Sequence, residues 1–215
     1  MAELIICTEP LAGSNCYLLG EGGRCVVIDP GDAAAPLQTL GRLGWTPELV
    51  LLTHEHCDHM AGLEPLRGRW PRLRVVASAL CSANLQSVRL NMSSMMEVYL
   101  TFHGHPGVRY PPFTCRPAEE TYSAEYRRDW RGHRLRFVPL PGHTPGSAVI
   151  FWDEETLFSG DYLLPDGQPI LRLPGGSEAD YRAVTLPYLE QLPRGLLIHP
   201  GHGPSYRLGE CPGNG

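Results

Sequence analysis

Lysine is absent. All 18 basic residues among the 215 are arginine, which excludes chemistry that depends on a lysine: a Walker A phosphate loop, a Schiff base, a Ser–Lys dyad. There is no basic block either, and 23 carboxylates leave a formal net charge of −5, so nucleic-acid binding through phosphates is not expected. No run approaches the roughly 18 apolar residues of a membrane span. The opening MAELIICTEP carries an early Glu3 and no basic stretch ahead of an apolar one, unlike a secretory signal. Seven cysteines (Cys7, Cys16, Cys25, Cys57, Cys81, Cys115, Cys211) are odd in number and form no CxxC pair. That argues against a disulfide framework and against a cysteine zinc site. The expectation is a reduced, cytoplasmic protein with no membrane partner. No internal repeat or low-complexity linker interrupts the chain.

At 42% apolar and 19% charged residues the chain can bury a sizeable core as a single domain over 1–215. Apolar runs at Cys16–Leu19 and Cys25–Ile28, separated by Gly20, Gly22 and Gly23, predict a hairpin. Asp29-Pro30-Gly31-Asp32 stops its second strand, a helix over Ala33–Leu43 ends at Gly44, and Leu49–Thr53 is a buried strand. A short helix opens at Met60–Leu66. From Asn84 to Phe102 apolar residues at Leu85, Val88, Met92, Met95, Met96, Tyr99 and Phe102 follow helical spacing. A looser stretch rich in proline and arginine runs on to about Arg131. Strands return at Leu135–Leu140, Ser147–Trp152, Thr156–Phe158 and Gly195–His199, with a helix near Ala179–Gln191. Two strand-rich halves with helices outside therefore flank an insertion at about 81–130.

The strongest signal is Thr53-His54-Glu55-His56-Cys57-Asp58-His59: three of the nine histidines fall within six residues, beside an aspartate. In extended backbone, residues two apart project to the same side, so His54, His56 and Asp58 can converge while His59 turns to a neighbouring point. Neutral imidazoles and a carboxylate suit zinc, or iron or manganese with more oxygen ligands. Three further segments place a donor just after an apolar run: Pro141-Gly142-His143-Thr144-Pro145-Gly146, Ser159-Gly160-Asp161 and Gly201-His202-Gly203-Pro204.

In these motifs the chain resembles the metallo-β-lactamase superfamily, over nearly its whole length apart from the insertion. The resemblance implies an α+β, four-layer αβ/βα sandwich with a mainly helical insertion and a dinuclear centre. One divalent ion, zinc first and iron or manganese as alternatives, would sit on His54, His56 and His143. A second would sit on Asp58, His59 and His202, with Asp161 bridging. Flavodiiron-type members carry an acidic residue where this chain has His56, and one β-lactamase subclass an arginine where it has His59. Leu173-Pro174-Gly175-Gly176-Ser177 followed by His199-Pro200-Gly201-His202-Gly203-Pro204 is similar to the small glyoxalase II-like hydrolases. Two departures weigh against glutathione specificity. Gln168-Pro169-Ile170-Leu171-Arg172 replaces a frequent Gly-Arg-Thr/Ser-Asp pattern, and the 215 residues do not include the helical domain with which glyoxalase II binds glutathione.

The implied activity is hydrolysis of a carbonyl ester by metal-activated water, a thioester first. Asp58 would also orient the nucleophile or relay its proton. An N-acyl lactone hydrolase and an iron-dependent persulfide dioxygenase are the alternatives. The partner is a small acyl substrate, and a homodimer is an open option. Leu85, Met92, Met95, Met96 and Tyr99 would form an apolar lid, or else ordinary core or a dimer face. With no lysine, any cation gripping an anionic substrate must be arginine, with Arg109, Arg116 and Arg172 the first candidates. Asp29 is a candidate to steady the ligand loops, and His103 and His105 are expected at the surface or as helix-end caps.

Overall fold

Two glycines with positive φ, Gly22 (57°) and Gly23 (75°), close a two-residue turn between β2 (Asn15–Glu21) and β3 (Arg24–Ile28), the conformation that suits strand twist in a hairpin. A computed structural model of the chain describes residues 2–165 and 167–210. β1 (Glu3–Thr8) pairs antiparallel with β2, and β4 (Thr46–Leu51), β5 (Arg74–Ser78) and β6 (Glu120–Tyr122) continue the sheet in parallel beyond β3. A second six-stranded sheet runs, from one edge to the other, β12 (Tyr206–Arg207), β11 (Leu197–Pro200), β10 (Thr156–Gly160), β9 (Ala148–Trp152), β8 (His133–Pro139) and β7 (Tyr126–Trp130).

Alternation along the strands builds the layers. Tyr17, Leu19, Val26, Ile28, Leu49, Leu51 and Val76 face Phe137, Ile150, Trp152 and Phe158 of the other sheet. The intervening residues Leu18, Val27, Val50 and Val75 pack outward against Leu40, Leu63, Leu66 and Cys81, which lie on or beside α1 (Ala34–Leu43), α3 (Leu63–Arg69) and α4 (Ala79–Asn84). Between α1 and α3 lies the single turn α2 (Cys57–Met60). Val149, Phe151, Leu157 and Ile198 likewise pack outward with Leu189. The order is helix, sheet, sheet, helix, as the resemblance implies. Strands buried on both faces read as unbroken apolar runs, which is why Val26-Val27-Ile28 and Leu49-Val50-Leu51 stand out in the sequence.

The middle segment differs from its expected form. Asn91 ends any single helix over 84–102. Its Oδ1 accepts the Ser93 N–H at 2.8 Å, and its Nδ2 donates to the Phe113 carbonyl at 2.8 Å, a local turn that outcompetes the helix. Helix resumes only as a short 3-10 turn and α5 (Met96–Phe102). The stretch to Arg131 is loose only in part: residues 103–119 hold no helix or strand, but β6 and β7 follow, one in each sheet. The final helix is interrupted too, with a π turn at Tyr181–Thr185 ahead of Pro187, which has no N–H to give to a helix.

All six described cysteines are buried and free; Cys211 lies outside the described residues. No helix among the described residues is long and apolar enough to cross a membrane.

His199 on β11 gives the fold a pH dependence. Its ring stacks on Phe158 at 5.0 Å and Nδ1 lies 2.5 Å from Ser205 Oγ, and burial pulls its pKa down to about 4. The unfolded chain, with an ordinary histidine near 6.5, binds more protons between those values. The neutral ring's stabilisation is therefore fully present above about pH 6.5 and is lost as pH falls towards 4, by roughly 3 kcal/mol. His199→Phe is expected to flatten that part of the urea-unfolding stability profile; an unchanged slope between pH 6.5 and 4 would refute it.

Candidate metal centre

The β4 strand ends at Leu51, and the chain then stays extended through His56 (φ −63°, ψ 143°) before α2. Extension brings His54 and His56 together and the helical turn presents Asp58 and His59 beside them. Opposite, His143 follows β8, Asp161 follows β10 and His202 follows β11. The donors of His54, His56, His143 and Asp161 lie within 4.8 Å of one another, as do those of Asp58, His59 and His202.

Asp161 faces both groups. Its Oδ2 lies 3.3 Å from His143 Nε2 and 4.0 Å from His54 Nε2, while Oδ1 lies 3.3 Å from His59 Nε2 and 3.6 Å from His202 Nε2. Asp58 Oδ2 stands 3.5 Å from His59 Nε2 and 3.4 Å from His202 Nε2. Donors about 2.1 Å from a shared centre at tetrahedral corners would be about 3.4 Å apart. Buried polar atoms without a hydrogen bond tell the same story. Of seven such side-chain atoms among the described residues, two face the centre of the cluster, His54 Nε2 and Asp161 Oδ1, while His143 Nε2 and His56 Nδ1 stand 3.0 Å apart there. Leaving such atoms unmatched is costly unless something is bound to them. The set fits a pair of divalent cations.

Neighbouring groups fix which ring nitrogen is bare. Asp29, held at φ 49°, accepts the Thr53 N–H at 2.8 Å and the Thr53 hydroxyl at 2.5 Å. That hydroxyl, its proton given to Asp29, can only accept from His54 Nδ1 at 3.0 Å, which leaves Nε2 unprotonated towards Asp161. Asp29 Oδ2 is also 3.4 Å from His59 Nδ1. His143 Nδ1 donates to the Ile170 carbonyl at 2.8 Å, and its backbone N–H donates to Tyr162 Oη at 2.9 Å. Gly201 allows the His202 loop its approach, since any Cβ there would collide with Asp161 Oδ1.

The two groups differ electrostatically. Burial, with neighbouring imidazoles, holds His54 well below the usual histidine range and His56 down to about 3. Burial also disfavours charge on His59 and His202, but Asp58 and Asp161 outweigh it and raise both. Burial likewise opposes ionisation of Asp58 and Asp161, yet His59 and His202 hold both carboxyls below their ordinary range.

A cavity of about 600 Å³ opens over the cluster, walled by Met92, Met96, Tyr99, Leu164, Ile170 and Leu173. Met95 is turned outward and 43% exposed, on the far side of the 3-10 turn from Met92 and Met96. The three arginines are elsewhere. Arg109 pairs with Glu97 at 3.5 Å, Arg116 with Glu64 at 2.9 Å, and Arg172 borders a separate groove with Gln168 and Glu178. Two cavity residues carry weaker sequence signals. His103 lines the cavity with its ring stacked 3.9 Å from Tyr99, a pairing detectable as i, i+4 spacing. Cys57 lines it too, outside every donor group. Glu55 gave no signal: buried, it accepts from Asn84 Nδ2 at 2.7 Å and Thr144 Oγ1 at 2.9 Å, joining α4 to the His143 loop.

The sequence pattern of the metallo-beta-lactamase superfamily matches residues 10–202, the whole span that carries these donors. The chain belongs to the metallo-beta-lactamase superfamily. Within the superfamily it is 28% identical over 193 residues to the probable metallo-hydrolase YqgX of Bacillus subtilis, covering 89% of this chain and 85% of that protein. It is 44% identical over 152 residues to the hydroxyacylglutathione hydrolase of Klebsiella pneumoniae, covering 70% of this chain but 47% of that enzyme. The chain thus spans about half the length of that relative. Among solved superfamily structures, BLEG-1, titled a B3 metallo-beta-lactamase, superposes with a TM-score of 0.78 at 28% identity, covering 97% and 95% of the two chains. TTHA1623 in a di-iron-bound form superposes with a TM-score of 0.70 at 30% identity, covering 95% of each.

Proposed function

We propose that this superfamily member is a dinuclear metal-dependent hydrolase of carbonyl esters, acting first on thioesters with an apolar acyl group. One observation carries the reading: a donor cluster with Asp161 facing both halves opens into a cavity whose remaining wall is mostly methionine, leucine, isoleucine and tyrosine, with Cys57 and His103 and, among the described residues, no arginine. Such a wall buries an acyl chain favourably and offers no cationic grip for a glutathione carboxylate. The likeness to a hydroxyacylglutathione hydrolase, over about half of that enzyme's length, supports thioester chemistry.

His54, His56 and His143 would hold one cation and Asp58, His59 and His202 the other, with Asp161 between; zinc is the proposed metal. Bound there, divalent ions supply a water that ionises near neutral pH and polarise the ester carbonyl. The chain contributes the rest. Asp58, at the cavity wall, is placed to orient the attacking water and carry its proton towards the leaving group. A thiolate with a pKa of about 8.5 leaves readily without a strong acid, so a lysine-free site suits it. The apolar wall excludes bulk water from the reacting centre.

Metal analysis together with a panel of acyl thioesters, N-acyl lactones, a β-lactam and a phosphodiester tests this. Two divalent ions per chain are expected, with kcat/KM rising with acyl length. One iron per chain with oxygen uptake on a persulfide would replace it by the dioxygenase reading. Met96→Ala is expected to raise KM for a long acyl thioester about tenfold, as a partly lost methionine contact implies, with metal content unchanged. Equal KM values would remove Met96 from the substrate pocket.

A further inference from the structure

At the opposite end of β4 lies a groove of about 700 Å³ in which five of the 18 arginines gather: Arg24, Arg69, Arg72, Arg74 and Arg128. Thr46 at the start of β4 lines it, whereas the metal cluster follows the strand's other end. A strand of six residues separates the two sites by about 20 Å. For a chain of net charge −5 this is a strong local concentration of positive charge.

Three of the five have structural employment. Arg24 is 3.7 Å from Glu48, Arg74 is 3.4 Å from Glu120, and Arg128 is held in a short ion pair with the same Glu120. Arg69 and Arg72 are exposed and have no carboxylate partner among the described residues. The only acidic residue lining the groove among the described residues, Glu48, also accepts from Trp130 Nε1 at 3.0 Å. Beside these cations sits Trp70, half-buried, with the Arg69 guanidinium 5.7 Å from its ring centre.

Guanidinium forks recognise phosphate oxygens in pairs, and indole and guanidinium planes both stack on flat rings. A lone phosphate would need one fork; two unpaired arginines beside a tryptophan, in a groove of ligand size, offer separate places for a phosphate chain and a planar base. We propose that this groove binds a nucleoside polyphosphate, with the base against Trp70 and the phosphates on Arg69 and Arg72.

Titration of the metal-loaded protein with ATP, ADP and inorganic tripolyphosphate, followed by tryptophan fluorescence and calorimetry, tests it. The nucleotides are expected to quench fluorescence and to bind at least tenfold tighter than tripolyphosphate. Arg69→Ala/Arg72→Ala is expected to weaken ATP binding at least tenfold, and Trp70→Leu to abolish the preference over tripolyphosphate. The arginine substitutions should leave ester turnover and the thermal midpoint unchanged, and Trp70→Leu should leave ester turnover unchanged. Binding that survives the double substitution, or equal affinity for tripolyphosphate, would overturn the proposal. A single-stranded RNA oligomer binding more tightly than any mononucleotide would overturn it in favour of a nucleic-acid surface.

Discussion

Asp161→Ala is expected to release both cations and to lower ester turnover by at least about 1,000-fold, the scale on which metal-activated water matters. The reason is its two-sided placement. One oxygen stands 3.3 Å from His143 Nε2 and the other 3.3 Å from His59 Nε2, so no other residue touches both donor groups in this way. Without it, five imidazoles face two dications with Asp58 as the single carboxylate of the two main groups. Asp161→Asn keeps the shape and loses the charge, and should fail nearly as badly. Metal content after dialysis, set beside kcat/KM, checks this. Full turnover in a chelator-stripped variant would end the metal-hydrolase reading.

A change further from the cations should also act strongly. Asp29→Asn preserves left-handed backbone tolerance but reverses a proton relay. The new side chain must keep its oxygen on the Thr53 N–H, so its NH2 turns to the Thr53 hydroxyl. That hydroxyl then donates to His54 Nδ1 instead of accepting from it, and the ring proton moves to Nε2, the nitrogen that faces Asp161. The same substitution removes the carboxylate 3.4 Å from His59 Nδ1. Affinity for both ions is expected to fall about 10- to 100-fold, measured by competition with a chromophoric chelator. Thr53→Val abolishes the relay outright, so Asp29→Asn added to it should cost little more through His54. Unchanged affinity in Asp29→Asn would show that the ring orientation is fixed by packing alone.

What could be read in the sequence was local. The cluster from His54 to His59 is contiguous, and His143, Asp161 and His202 each sit in a Gly-marked turn after an apolar run, so short windows mark all seven as candidates, while their grouping into one set rests on the family resemblance. Doubly buried strands such as Leu49–Leu51 are equally legible. What depended on distant partners was not. β7, Tyr-Arg-Arg-Asp-Trp, looks like loop because only its pairing with β8 and the Arg128–Glu120 ion pair make it strand. β1 is half-exposed, β6 is only three residues long, and β5, Arg-Val-Val-Ala-Ser, carries just three apolar residues, so none of the three stands out. Helical spacing through Met92 and Met95 was real on paper, but the Asn91 side chain broke the helix and sent the two methionines to different sides. Arg116 was drawn to Glu64, fifty-two residues away in sequence, a pairing no local pattern announces. Asp29 reads in the sequence as a candidate to steady the ligand loops, but its link through Thr53 exists only in three dimensions.

The donors come from both layers: four follow β4 of one sheet, and three follow β8, β10 and β11 of the other. An occupied centre therefore works as a bolt across the sandwich, present in the folded chain and absent from the unfolded one. Each tenfold rise in free cation above its dissociation constant adds about 1.4 kcal/mol of resistance to unfolding. With the proposed ions bound, the stability of the fold would thus follow the concentration of free metal around it.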